Sequence, residues 1–230
     1  MKTFDNTTPH LSAEYDAQIM NTIPYYDCFH REIIHTIQAL TINPSIWLDT
    51  GAGTGTMVSN YIDNFPNTLF LLADPSEEML LVARDKLSEF GTDRIRFLSP
   101  VATQNIVLDP SLRPDIITAV QSHHYLMKEE RRMATKVCYE LLSEGGTFIT
   151  FENIRPFTEQ GIANEKRKWA NYQISRGKSE DQVRKHIERF DIEYFPITVK
   201  EHLQLYRECG FQVVELLWFS YMQAGFYCVK

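Results

Sequence analysis

The apolar positions of this chain change period several times, and each change predicts an element. Short runs at 45–49, 69–73, 94–98, 115–120 and 146–152 are largely apolar, the pattern of strands covered on both faces. Between them apolar residues recur at helical spacing, as at Met57, Val58, Tyr61, Ile62 and Phe65, and this predicts helices over 56–65, 76–90 and 128–143. Such alternation implies an α/β fold with a mostly parallel sheet, helices on both faces and right-handed crossovers. From 211 the pattern shifts to two strand-like runs, 211–219 and 224–229, which predict a closing antiparallel hairpin. Ahead of the first strand, 1–44 reads as a polar tip and helices with Phe29, Ile33, Ile34, Ile37 and Leu40 on one face. After the fifth strand, 153–197 reads as an insertion of two amphipathic helices. Ile162, Trp169 and Tyr172 share a face of the first. Ser179 to Gln182 makes a capping-box start for the second, whose stripe is Val183, Ile187 and Phe190. One domain over 1–230 is expected, in four parts: 1–44, 45–152, 153–197, and a closing helix and hairpin at 198–230.

Composition narrows the class. With 43% hydrophobic and 23% charged residues the chain reads as a soluble globular protein. It has no run of membrane-spanning length and no apolar leader near Met1, so a cytoplasmic protein without membrane partners is expected. Cys28, Cys138, Cys209 and Cys228 are scattered, so neither a zinc site nor a disulfide framework is predicted. A formal net charge of −7 argues against duplex nucleic acid as a partner, because such binding depends on Lys and Arg neutralising phosphates.

The chemistry concentrates at Trp47-Leu48-Asp49-Thr50-Gly51-Ala52-Gly53-Thr54-Gly55-Thr56. A strand, a glycine turn and a helix start bring free backbone N–H groups and a positive dipole end to face a ligand. The dinucleotide fingerprint spaces its glycines G-x-G-x-x-G. Here they fall at G-x-G-x-G, with Asp49 ending the strand. A pyrophosphate gains nothing from that carboxylate, whereas the ammonium of S-adenosylmethionine (SAM) does. Asp74 ends the second strand, where a carboxylate can take both ribose hydroxyls in NAD or SAM proteins alike. Met79 reads equally as a lid on adenine or as core.

LDTGAGTG, LLADPSEEML, DIITAVQSHHYL and LLSEGGTFITFE, in that order, resemble the successive motifs of class I SAM-dependent methyltransferases. The likeness runs over nearly the whole chain. It is greater to small-molecule methyltransferases and to the related carboxy-SAM synthases than to DNA or protein methyltransferases. The fold it implies is a seven-stranded Rossmann-like sheet, mostly parallel, with a C-terminal antiparallel hairpin and a helical insertion after strand five. It further implies SAM as cofactor, bound by Asp49, Gly51, Ala52, Gly53, Gly55, Asp74, Pro75, Met79, Ala102 and Gln121, with Tyr15 and Tyr25 of the N-terminal part covering it. Where many relatives carry an acid for the adenine amino group, this chain has Val101, which leaves adenine to backbone near Ala102 and Thr103.

His123 and His124 follow strand four, facing the methyl group in the implied fold. Either could act as a general base, His124 being preferred as acceptor-facing, or both could be structural. Tyr125, Trp169, Tyr172 and His186 are candidates for an acceptor pocket. The insertion is a lid over the strand ends, a surface for a homodimer or a solvated helical hairpin. Carboxy-SAM synthases use an arginine in the insertion for the extra carboxylate; Ile187 aligns there, with Arg184 and Arg189 offset. The expected function is methyl transfer to oxygen or nitrogen of a small molecule. Alternatives are a carboxy-SAM synthase-like or tRNA-modifying enzyme and a noncatalytic SAM-binding module.

Overall fold

The computed structural model describes residues 6–230. Its centre is a seven-stranded sheet made of β1 (Ile46–Thr50), β2 (Leu69–Ala73), β3 (Ile95–Phe97), β4 (Ile116–Val120), β5 (Thr147–Asn153), β6 (Val213–Ser220) and β7 (Gln223–Val229). The spatial order is β3-β2-β1-β4-β5-β7-β6. β1 to β5 pair in parallel, while β7 runs against both β5 and β6. The chain reverses its direction of travel across the sheet between β1 and β4, and a cleft opens at such a point beyond the strands' carboxyl ends. Asp49 aligns with Thr118 of β4 and Leu72 of β2, so the predicted chemistry lies at that cleft.

Among the described residues eight α-helices pack around the sheet: α1 (Tyr15–Ile19), α2 (Tyr26–Ala39), α3 (Thr56–Tyr61), α4 (Glu77–Lys86), α5 (Lys128–Leu141), α6 (Glu159–Ser175), α7 (Glu180–Glu188) and α8 (Val199–Cys209). Side chains alternate across each strand, so successive residues feed opposite cores. Trp47, Phe70, Ile149 and Phe151 pack with Phe29, Ile33 and Ile37 of α2 and with Trp169 of α6. Leu48, Leu71, Ile117 and Phe148 pack on the other face with Cys138 of α5 and Tyr206 of α8. Phe29 stacks on Phe151 with ring centroids 4.7 Å apart, which fixes α2 over β5. Each such fully buried large side chain contributes about 2–3 kcal/mol of transfer free energy.

The predicted helices over 56–65 and 76–90 are shorter than their periodicity suggests. α3 gives way to a 3-10 turn at Ile62–Asn64, and α4 ends at Lys86. The Ser179 box forms as read: the hydroxyl accepts from the Gln182 backbone while the Gln182 side chain reaches back to Ser179 N–H. Val183 and Phe190 of the stripe are buried, but His186 joins them and Ile187 is only partly covered. Among the described residues no helix is long and apolar enough to cross a membrane.

Candidate functional site

The glycine turn joins β1 to α3 in the left-handed conformation, with φ of +66° at Gly51, +55° at Gly53 and +69° at Gly55. L side chains rarely adopt that region, so glycine is required by the backbone itself. The three differ in what surrounds them. A Cβ on Gly51 would lie 2.5 Å from Ser122 Cβ, and one on Gly53 would meet nothing within 4 Å. On Gly55 it would press Leu87 and Ala83 at 3.0 and 3.1 Å. Gly55 therefore serves the packing of α4 against the turn, and it is not among the residues that line the two cavities described below.

A cavity of about 540 Å³ lies against the turn, lined among others by Gly51, Gly53, Asp74, Pro75, Met79 and Ala102. Tyr15, Thr103, Gln104, Gln121, Ser122, His123 and Tyr125 complete the wall relevant here. Asp74 is locked in place: its carboxylate accepts from Gly53 N at 2.9 Å and from Ser76 N at 2.9 Å. Burial raises its pKa against those two bonds. Gln121 holds a left-handed φ of +54° at the end of β4 while its N–H donates to Phe151 O. Strain of this kind, about 1–3 kcal/mol, gathers at ligand sites.

Asp49 sits deeper, with Ala52 nearby, in a small adjoining cavity bounded by Tyr15, Tyr26, His30 and Gly51. A chain of buried hydrogen bonds orients it: Trp47 Nε1 donates to Thr118 Oγ1, which donates to Asp49 Oδ1 at 2.7 Å. No cation pairs with it among the described residues. Burial is the main cause that raises its pKa to about 7, with the nearby Asp74 adding to the rise. Three further groups are buried without partners on the main cavity wall, Gln104 Oε1, Ser122 Oγ and His123 Nε2. Orphaned polar atoms beside an uncompensated acid are what a polar, cationic ligand would satisfy. The residues present thus fit SAM.

The two histidines differ from expectation. His124, preferred as acceptor-facing, is buried with both ring nitrogens engaged. Its Nδ1 donates to Glu152 Oε2 at 2.8 Å, and its Nε2 accepts from Asn153 Nδ2 at 3.1 Å. Gln223 Nε2 in turn holds the Asn153 oxygen, which fixes this tautomer. His124 has no free nitrogen for an acceptor's proton. His123 borders the cavity, but its ring stacks on Phe148 and burial lowers its pKa to about 4, so it is a weak base. Glu152 also accepts from the backbone N–H groups of His123 and His124 and from Thr150 Oγ1. Arg131 donates to the carbonyls of His123, Leu126 and Phe195, tying this loop to the end of the insertion.

The aromatic candidates separate. Tyr15 and Tyr125 stand where the main cavity meets a narrow gap lined also by Asn153, His186, Arg189 and Tyr194. Tyr25 is half exposed and packs against Trp218 and Tyr221, away from the site. Trp169 is fully buried, its Nε1 donating to Thr22 O at 2.6 Å, and Tyr172 donates to Met20 O at 2.8 Å. Both anchor α6 on the N-terminal segment instead of lining the acceptor space, because their face meets 19–23. Arg184 points to solvent among Asp181 and Glu188, whereas the offset Arg189 lines the gap.

Sequence reasoning missed Gln104, Ser122 and Glu152 as site-building groups. Asp16, next to the covering Tyr15, accepts from Thr54 and Thr56 at 2.6 and 2.8 Å and pairs with Lys86 at 2.5 Å. That clamp holds α1 on the glycine turn. The alternation T-G-T at 54–56 beside an acidic N-terminal helix was the available signal.

Comparison with known proteins agrees with this geometry. Residues 48–148 match a family described as a methyltransferase domain. The chain is 21% identical over 207 residues to the carboxy-S-adenosyl-L-methionine synthase of Campylobacter lari, covering 90% of this chain and 86% of that one. Human N-acetylserotonin methyltransferase in complex with SAM superposes with a TM-score of 0.59 at 14% identity, over 95% of this chain and 58% of that chain. Magnesium protoporphyrin IX methyltransferase of Synechocystis with bound S-adenosylhomocysteine (SAH) gives 0.61 at 14% identity, over 87% and 81%. The chain spans about 60% of the length of several such structural neighbours.

Proposed function

We propose, on the premise that this chain is a distant class I SAM-dependent methyltransferase, that it methylates an oxygen or nitrogen atom of a small molecule in the cytoplasm. The observation that carries the reading is Asp49, a buried acid without a cation at the base of the glycine turn. SAM supplies a methyl group on a sulfonium, so the protein's task is alignment and exclusion of water. Asp49 would match the ammonium, and Asp74 the ribose hydroxyls. Pro75 and Met79 would lie against adenine. Gln104 Oε1 is available to accept from the adenine amino group, the role left open by Val101. Tyr15 would close the cavity toward the acceptor. With His124 saturated and His123 weakly basic, neither histidine would serve as a strong general base, which favours an acceptor atom that is nucleophilic without one.

Titration calorimetry tests this. SAH is expected to bind, NAD is not, and Asp49→Ala should abolish SAH binding in a folded protein. Binding of NAD in place of SAH would overturn the reading. The likeness to the Campylobacter relative supports a second reading, a carboxylated cofactor of the kind its name gives, for which Arg189 in the gap would have to leave its pair with Glu193. Mass spectrometry of the ligand that co-purifies separates the two by the mass of one carboxyl group.

A further inference from the structure

Beyond the gap lies a larger cavity of about 910 Å³, between residues 6–11 and the start of α7. It shares Thr8, Pro9, His186 and Arg189 with the gap, which in turn shares Tyr15, Gln121 and Tyr125 with the cofactor cavity. The three spaces lie side by side from the glycine turn outward and share wall residues, the gap being the narrowest at about 20 Å³. Three cationic side chains border the outer cavity, and two are already neutralised: Lys185 by Asp181 at 2.6 Å and Arg189 by Glu193 at 2.5 Å. The third, Lys178, has no carboxylate within 4 Å among the described residues; its ammonium donates to Thr22 Oγ1. That hydroxyl spends its proton on Gln18 O, and His10 Nε2 lies 2.9 Å from it, so the neighbours of Lys178 bring no anion. Burial lowers the Lys178 pKa to about 8, which leaves it mostly charged near neutrality. Gln182 on the same wall has its amide oxygen committed to Ser179, so its NH2 is left to donate.

A half-buried ammonium without a counter-ion, in a cavity next to the gap that adjoins the cofactor side, is stabilised by an anion. We propose that the outer cavity binds a single carboxylate of the methyl acceptor, with Lys178 as counter-ion and the Gln182 amide as second donor. The proposal rests on the methyltransferase reading. One free ammonium, with exposed Glu14 on the same wall, matches a singly charged carboxylate better than a dianionic phosphate, which would face that acid. Glu188 and Glu193 on the wall are held by Arg184 and Arg189.

The test uses the full chain saturated with SAH, titrated near pH 7 with 4-hydroxybenzoate, its neutral isostere 4-hydroxybenzamide, and 4-hydroxyphenyl phosphate. The acid is expected to bind about tenfold more tightly than the amide, the scale of one charge-assisted hydrogen bond. Lys178→Met should erase that preference and Lys178→Arg should keep most of it, with circular dichroism and SAH titration reporting that each variant folds. Equal binding of acid and amide, no binding of either, or a preference that survives Lys178→Met overturns the proposal. A phosphate bound more tightly than the carboxylate overturns it as well. Failure of SAH itself to bind is a separate result, and it sinks the methyltransferase reading instead.

Discussion

In the proposed site Asp49 would couple cofactor binding to protons. Its pKa, raised to about 7 by burial, stands well above the unfolded value of about 3.9. The sign follows from linkage: its contribution to stability is fully present below the unfolded pKa and is lost as pH rises through about 7. A ligand ammonium reverses the balance by favouring the carboxylate. SAH affinity is therefore expected to rise about tenfold per pH unit between pH 5 and 7 and then level off. Asp49→Asn should bind weakly and without that slope. Calorimetry in two buffers of different ionisation enthalpy reads the released proton directly, and a flat wild-type profile would refute the coupling. Gln104 makes an independent test at the same scale. Its Oε1 is buried and unpartnered, so Gln104→Leu removes an orphan from the free protein and a hydrogen bond from the complex. Unfolding stability should hold or rise, while the SAH Kd increases about tenfold.

The loop after β4 borders the cofactor cavity, and Glu152 on β5 holds it. Burial alone would raise the Glu152 pKa, but the hydrogen bond from His124 and the nearby histidines outweigh this and bring it to about 2. A depressed acid contributes stability above its unfolded pKa of about 4.3 and loses it as pH falls toward about 2. Wild-type stability in urea should thus decline through the acid range, and less steeply in Glu152→Gln. Glu152→Ala, which strands the backbone N–H groups of His123 and His124, should cost about 3–5 kcal/mol. Elements of this kind show where sequence reading stops. The strands were legible because runs such as Leu69–Ala73 are apolar on both faces, and the turn because alternate glycines have few other uses. His123 and His124 are neighbours, and which one meets the cavity depends on an acid in another strand. Trp169 and Tyr172 were rightly placed on one helical face, but periodicity does not say that residues 19–23 cover it. Lys178 and His10 meet only in the folded chain, and no local pattern announces them.

At the scale of the molecule, sheet order decides what is joined. Asp49 and Gln121 flank the reversal between β1 and β4, so the site exists only when both halves of the sheet are paired. Ligand binding should then stabilise the whole fold as one unit. SAH at a hundred times its Kd adds about 2.7 kcal/mol, which for a chain of this size raises Tm by about 5–10 °C, whereas NAD should leave it unchanged. The Asp16 clamp carries a further consequence, in time instead of affinity. Helix α1 lies over the glycine turn with Asp16 bonded to Thr54, Thr56 and Lys86, and in the proposed site a spent cofactor would leave when that latch lifts. The Lys86–Asp16 pair is partly open to solvent, so dissolved ions weaken it. Stopped-flow measurement of SAH dissociation should show a rate that climbs with ionic strength in the wild type and stays level, already fast, in Asp16→Ala. Product release would then pace each round of catalysis, with a surface ion pair as its governor.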